Sequence, residues 1–287
     1  GIIGVPLPAD RIEDAVPGLV AAAGADGLGD FAEAIRTTDS HRKVAVARIG
    51  DAPDAPDAPI VVGVAKGSGM IHPDMATMIG VVLTDAAVEP LALRRALGRA
   101  VDASFHRISI DGDTSTNDAV FAMASGAAGP VTEDALAEAM TAVCRDLAEQ
   151  IVRDGEGARR LVRVQVRGAA STDDADRVAR VVASSLLVRT AVAGGDPNWG
   201  RILAAAGRSG VPVDADAVRL RIGGVEVFAD GAPRTDDPRR RVAAAAAMAG
   251  DTVVIELDLG TDAGGESEFL TCDLTREYIR LNSEETT

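Results

Sequence analysis

The order of its hydrophobic patterns constrains this chain most. Strand-like runs joined by turn signals give way to long helical runs, and the same succession then repeats. In the first round, residues 44–49, 60–64 and 79–83 read as strands. Helical spacing follows over 89–105 and 131–152, with Thr132 placed to cap the second helix and Glu133 and Asp134 in its first turn. The second round opens with a strand at 161–166 and a long helix over 173–191. A short helix capped by Asn198 runs through 206, a hairpin turns at Gly223-Gly224, and a helix over 239–249 stops at Gly250. Strands at 253–259 and 268–274 complete it. This order predicts a layered α/β protein with mixed sheets rather than a doubly wound parallel one. A boundary near 168–171 divides it into residues 1–170 and 171–287.

The intervening segments are less regular. Residues 12–36 read as helix broken at 24–29, with Asp30 a candidate cap for the second piece. Thr37-Thr38-Asp39-Ser40 reads as a turn. The triple DAP repeat of residues 51–59 reads as a stiff surface insertion between hairpin strands. Residues 107–111 read as a short strand, and the polar end, 278–287, as a frayed tail.

Composition excludes several function classes. An apolar fraction of 47% beside a charged fraction of 25% belongs to a soluble globular protein. No run reaches the roughly 18 apolar residues of a membrane span, no secretory leader opens the chain, and the cytoplasm is the default location. A net charge of −15 argues against nucleic acid or an anionic membrane as partner. Cys144 and Cys272 offer neither zinc spacing nor a disulfide framework. One Trp and one Tyr leave Ala, Val, Leu and Ile to build the core. Neither GxGxxG, GxxxxGK[ST] nor GxSxG occurs. His41, His72 and His106 have no evident metal partners, so no metal and no nucleotide cofactor is expected.

Chemistry concentrates in residues 66–78, KGSGMIHPDMATM, between two apolar runs. Gly67 and Gly69 permit positive φ and close backbone approach. Lys66 is one of only two lysines, with Lys43, against 27 arginines. A chain so biased has kept a compact, easily shifted ammonium here. On its own the stretch reads equally as a turn with an incidental lysine or as a loop presenting a reactive side chain. His72 could serve Thr77 as a base, although a loop histidine without an acidic partner is ordinarily solvated. Residues 112–118, GDTSTND, read first as a hydrogen-bonded turn and second as a site for amine and carboxylate groups. Glu156, between two glycines in DGEG, reads as a surface acid.

A threonine hydroxyl needs a base beside it, and one solution is its own α-amine, exposed when Thr77 begins a chain. With an ordinary pKa of roughly 7.7–8, that amine is partly free base at neutral pH. Attack of the Thr77 hydroxyl on the Ala76 carbonyl, then hydrolysis of the ester, would release it.

At this point the residues match a family. GIIGVPLP, AIRTTDS, KGSGMIHPDMATM, FHRISIDGDTSTNDAV, DGEGARR, GGDPNWGRILAA and CDLTREYIRLNSEETT, in this order from Gly1 to Thr287, resemble the ornithine acetyltransferase (glutamate N-acetyltransferase) family of arginine biosynthesis. The resemblance implies a self-cleaving enzyme of two α/β domains, whose halves stay together in an α2β2 or larger assembly. Acetyl would pass from N-acetylornithine to Thr77 and then to glutamate, with no cofactor and with acetyl-CoA as an alternative donor. It assigns Thr77 as nucleophile, Ala76–Thr77 as the cut bond, and Thr37, Lys66, Glu156, Asn282 and Thr287 as substrate-binding residues. The turn at 37–40, the glycine-flanked Glu156 and the polar tail thereby become binding elements. Gly1 matches the glycine of the family's Thr-Gly oxyanion hole, whose threonine would precede residue 1, together with a segment of about one hundred residues. An oxyanion donor is worth about a hundredfold or more in rate, so residues 1–287 alone are expected to cleave themselves and transfer acetyl poorly. Arg36, Ile79 and the insertion at 51–59 depart from the family pattern. The rivals are a related self-cleaving aminopeptidase or amidase, a paralogue in secondary metabolism, and an unprocessed inactive fragment.

Overall fold

The computed structural model describes residues 4–50, 57–72 and 78–284. Two helices, α1 (Ala9–Ala22) and α2 (Leu28–Ala34), precede strands β1 (Lys43–Arg48), β2 (Ile60–Lys66) and β3 (Ile79–Thr84). Helix α3 (Pro90–Asp102), a 3-10 turn (Phe105–Arg107), β4 (Ile108–Ser109), β5 (Ala119–Ala124) and helix α4 (Glu133–Arg153) follow. Next come β6 (Leu161–Ala169), α5 (Thr172–Ala183), α6 (Leu186–Gly194) and α7 (Trp199–Gly207). The chain continues through β7 (Arg219–Ile222), β8 (Val225–Ala229), β9 (Ala232–Pro233) and α8 (Pro238–Met248), and ends with β10 (Thr252–Asp258), β11 (Gly265–Cys272) and α9 (Arg276–Glu284).

The strands make two mixed sheets, in the orders β1-β2-β3-β5 and β4-β11-β6-β10-β7-β8-β9. In the first, β2 is antiparallel to both neighbours and β3 is parallel to β5. The second has parallel pairs β4–β11 and β6–β10 among antiparallel ones. The expected layered α/β fold with mixed sheets is the observed one. Helix α4 lies across the first sheet so closely that a Cβ on Gly63 would come within 2.5 Å of Val143 and 2.7 Å of Leu147. Only glycine allows that approach. The core is mainly aliphatic in both of its clusters, with Phe105 in the first and Phe228 and Phe269 in the second. Leu136, Met140, Leu147 and Ile151 of α4 anchor the first, and Val162, Val164, Ile255 and Leu257 of the central strands β6 and β10 anchor the second.

Local chemistry explains the boundaries. Thr132 caps α4 by accepting the Ala135 N–H at 3.3 Å, and Asn198 caps α7 by accepting that of Arg201 at 3.1 Å, each typically worth ~1 kcal/mol. Gly223 and Gly224, with φ of 55° and 77°, form the β7–β8 turn. Four expectations are corrected. The helix expected over 173–191 is two, because the Ser185 hydroxyl accepts the Val188 N–H and starts α6 afresh. Asp30 lies in the first turn of α2 and Gly27 occupies the cap. Strand pairing over the expected 107–111 is confined to Ile108 and Ser109, the residues that meet β11. The polar end is helix α9 as far as Glu284, held by Arg280 between Glu277 and Glu284.

Candidate active site

The turn at residues 37–40 is built around a buried carboxylate. Asp39 accepts the Thr37 N–H at 3.2 Å, the Gly67 N–H at 2.7 Å and the Lys43 ammonium at 2.5 Å. Burial pushes its pKa up, but the Gly67 N–H and Lys43 together outweigh burial, and its pKa falls below the ordinary carboxylate value. Lys43 also donates to Asp154 at 2.6 Å, and its side chain is wholly inaccessible to solvent. Asp154 in turn accepts the Ser40 N–H at 3.0 Å and the Ser40 hydroxyl. One buried ammonium therefore ties the 37–40 turn and β1 to the end of α4.

That tie sets the position of Glu156, two residues beyond Asp154. Its backbone N–H donates to the Ser68 carbonyl at 2.8 Å, and the Ser68 hydroxyl meets the Thr38 hydroxyl at 2.5 Å. Gly69 passes directly over the Glu156 carboxylate, where a Cβ would stand 2.7 Å from its carbon. On the other side, Gly157 packs on the start of α9. A Cβ there would lie 2.4 Å from the Tyr278 nitrogen, and its φ of +70° also favours glycine. One turn along α9, Asn282 donates to Glu156 Oε2 at 2.9 Å. No described residue bonds Oε1. Thr37, Thr38, Asp154, Glu156, Leu281 and Asn282 thus line a cleft of about 440 Å³.

Three of the substrate-binding residues expected from sequence, Thr37, Glu156 and Asn282, share this cleft. Lys66 does not line it. It ends β2 in register with Ile79, the first residue of β3, so the two ends of the glycine-rich loop are brought together. Gly1, Ala76, Thr77 and Thr287 lie outside the described residues, as do positions 51–56 of the expected insertion.

The loop of residues 112–118 grips both arms of that glycine-rich loop. Asp111, just before it, accepts the N–H groups of Met70 and Ile71. Asp118, its last residue, accepts the Met78 N–H at 2.7 Å. Burial raises Asp118 to about 6, against the opposing pull of the Met78 N–H and the Lys66 charge. Its Oδ2 is buried without a hydrogen-bond partner. Inside the loop the expected local turns occur, with Asp113 N–H on Asp111 and Asn117 N–H on Ser115. His72, weighed above as a base, has its Nδ1 3.0 Å from the Ser109 hydroxyl. Among the described residues, no group of three or more His, Cys, Asp and Glu side chains could hold a metal ion. No helix there is long and apolar enough to cross a membrane.

Sequence reasoning missed Asp39, Lys43, Asp154, Ser68 and Asp118. Two signals were present: Lys43 shares the rarity that singled out Lys66, and Asp111 and Asp118 bracket a run of small polar residues.

Comparison with known proteins gives consistent results. A family model described as "ArgJ family" matches residues 1–287. The chain is 46% identical to the arginine biosynthesis bifunctional protein ArgJ of Symbiobacterium thermophilum, covering 98% of this chain and 70% of that protein. The ArgJ of Thermus thermophilus is 45% identical, over 100% of this chain and 71% of the relative. A crystal structure of the ArgJ from Bacillus halodurans superposes with a TM-score of 0.67 at 38% identity, covering 71% of this chain and 98% of that one.

Proposed function

From the premise that this chain belongs to the ArgJ family, we propose that it is an ornithine acetyltransferase of arginine biosynthesis, moving acetyl from N-acetylornithine to glutamate through Thr77. The observation that carries this reading is the convergence of Thr37, Glu156 and Asn282 on one cleft, with the glycine-rich loop packed against Glu156 at Ser68 and Gly69. In this reading the Ala76–Thr77 bond is cut first. The Thr77 hydroxyl then attacks the acetyl carbonyl of the donor, and its own α-amine takes the proton. Glu156 neutralises the side-chain ammonium of the ornithine moiety, and Lys66 pairs with the α-carboxylate common to donor and acceptor. Glutamate afterwards receives acetyl from Thr77.

The same proposal takes Gly1 as part of the oxyanion hole and Thr287 as a further binding residue. It divides the protein into a catalytic part, 1–170, and a second α/β part, 171–287, whose last helix reaches the site. Cleaved halves remain together in an α2β2 or larger cytoplasmic assembly, without a cofactor. The description of the relatives as bifunctional supports acetyl-CoA as a second donor.

The test is to incubate the full-length protein with N-acetylornithine, with and without glutamate, and to follow acetate and N-acetylglutamate. Glutamate should suppress acetate release and yield N-acetylglutamate. Acetate release indifferent to glutamate would mean that water is the acceptor, as in an amidase.

A further inference from the structure

We propose that Thr275 is a positioning residue for recognition of the acetyl donor. Its hydroxyl holds together the two elements that carry Glu156 and Asn282. Asn282 then fixes one carboxylate oxygen of Glu156 and leaves the other for the ornithine ammonium. This rests on the reading above, in which Glu156 takes that ammonium, and gives a role to a residue that the resemblance left without one.

One side chain makes both ties. Thr275 is buried immediately before α9, and its Oγ1 donates to the Gly157 carbonyl at 2.7 Å. The same oxygen accepts the Glu277 N–H at 3.2 Å, which caps the first turn of α9. A hydroxyl has one proton and two lone pairs, so the two bonds coexist. Gly157 directly follows Glu156, and α9 carries Asn282. The neighbours of Thr275 keep the rest of the stretch in place. Asp273, also buried, accepts the N–H groups of Arg159 and Arg160 at 2.8 and 3.0 Å. Leu274 donates its N–H to the carbonyl of Arg189, whose buried guanidinium donates to the Cys272 carbonyl at 2.8 Å. Residues 272–275 are thus fastened to α6 on one side and to residues 157–160 on the other.

Helix α9 needs that anchor because it buries none of its own residues. Asn282 lies about two turns, roughly 11 Å, beyond Thr275 along it. A tilt of about 10° at the first turn would therefore carry the Asn282 amide roughly 2 Å. That is well past the reach of a hydrogen bond that stands at 2.9 Å to Glu156 Oε2. Without this bond the Glu156 carboxylate is free to turn, and Oε1 loses its aim at the donor's ammonium. Glutamate has no side-chain ammonium and makes no use of that aim.

The test measures acetyl transfer by the full-length protein. Thr275→Val keeps the shape but neither bond, and Thr275→Ser keeps the hydroxyl; Glu156→Gln and its double variant with Thr275→Val complete the set. In Thr275→Val, kcat/KM for N-acetylornithine should fall about tenfold. The value for glutamate, and both values in Thr275→Ser, should stay within about twofold of the parent. Added to Glu156→Gln, Thr275→Val should cost less than about twofold more, since both act through one carboxylate. Parental kcat/KM for the donor in Thr275→Val overturns the proposal, as does an equal loss for both substrates or a full further loss on top of Glu156→Gln. If Thr275→Val does not fold, Thr275→Ala takes its place. Failure of both to fold also overturns the proposal, because the hydroxyl then serves the fold and not the cleft. Parental kcat/KM for the donor in Glu156→Gln overturns the ammonium reading and this proposal together. A loss in Glu156→Gln beside an unaffected Thr275→Val overturns this proposal alone.

Discussion

The two lysines of this arginine-rich chain sit on neighbouring strands in opposite surroundings. Lys43 opens β1 opposite Ala65, one residue from Lys66 at the end of β2. Lys43 is sealed from solvent between Asp39 and Asp154, while Lys66 is half-buried at the mouth of the glycine-rich loop. One ammonium serves the architecture, and the proposed function gives the other to the substrate carboxylate. The difference teaches that a rare residue type marks a place where its geometry matters, without saying whether that place binds a substrate or holds the fold. A guanidinium between Asp39 and Asp154 would need room that two short contacts do not leave.

Substitution separates the two roles. The largest effect is expected from Lys43→Met, which strands two buried carboxylates and should cost about 3–5 kcal/mol in denaturant unfolding. Lys43→Arg, which keeps the charge but overfills the site, should cost about 1–3 kcal/mol. The same cluster predicts an acid dependence. Because the Asp39 pKa is depressed in the folded protein, its contribution is complete above the ordinary carboxylate value of 3.8 and is lost as pH falls through the lower folded value. Unfolding free energy measured from pH 5 downward should therefore drop in the parent and drop less in Lys43→Met. Equal slopes would mean that Asp39 is not coupled to Lys43.

Next in size is Lys66→Met. Stability should stay within about 0.5 kcal/mol, while kcat/KM for N-acetylornithine falls about tenfold to a hundredfold, the worth of a charge-assisted hydrogen bond. A variant that unfolds instead would make Lys66 a second Lys43. Smaller still is Glu156→Gln. The backbone bond to Ser68 survives, so the cleft keeps its shape, and KM for the cationic donor should rise about tenfold. KM for glutamate, which has no side-chain ammonium, should move far less. A parallel rise for both substrates would assign Glu156 to the cleft wall rather than to the ornithine ammonium.

Much of the framework was legible because it obeys local rules. The cap at Thr132, the Gly223-Gly224 turn and the alternation of β6 are each encoded within a few residues. What escaped depends on distant partners. Nothing near Ser185 in sequence says that a long apolar helix restarts there, since its hydroxyl competes with an otherwise continuous pattern. Strand β5 escaped because Ala119–Ala124 has its residues half-buried or exposed and is fixed by parallel pairing to β3. Helix α9 buries none of its residues and stands on charge pairs and on the packing of Tyr278 against Gly157. The site follows the same division. Glycines around Glu156 were visible, but their reason lies in contacts across the fold: Gly69 passes over the carboxylate and Gly157 meets α9. Asp118 was visible only as the end of a polar run, since its significance comes from the Met78 N–H forty residues earlier.

The central claim is that Thr77 becomes a chain terminus and then carries the acetyl group. Intact mass spectrometry of the full-length protein after exposure to N-acetylornithine measures both at once. The expected product is a fragment beginning at Thr77 with one added acetyl group, removed on addition of glutamate and absent from Thr77→Ala. An uncut chain, or an acetyl group found on Lys66 rather than on Thr77, would contradict it.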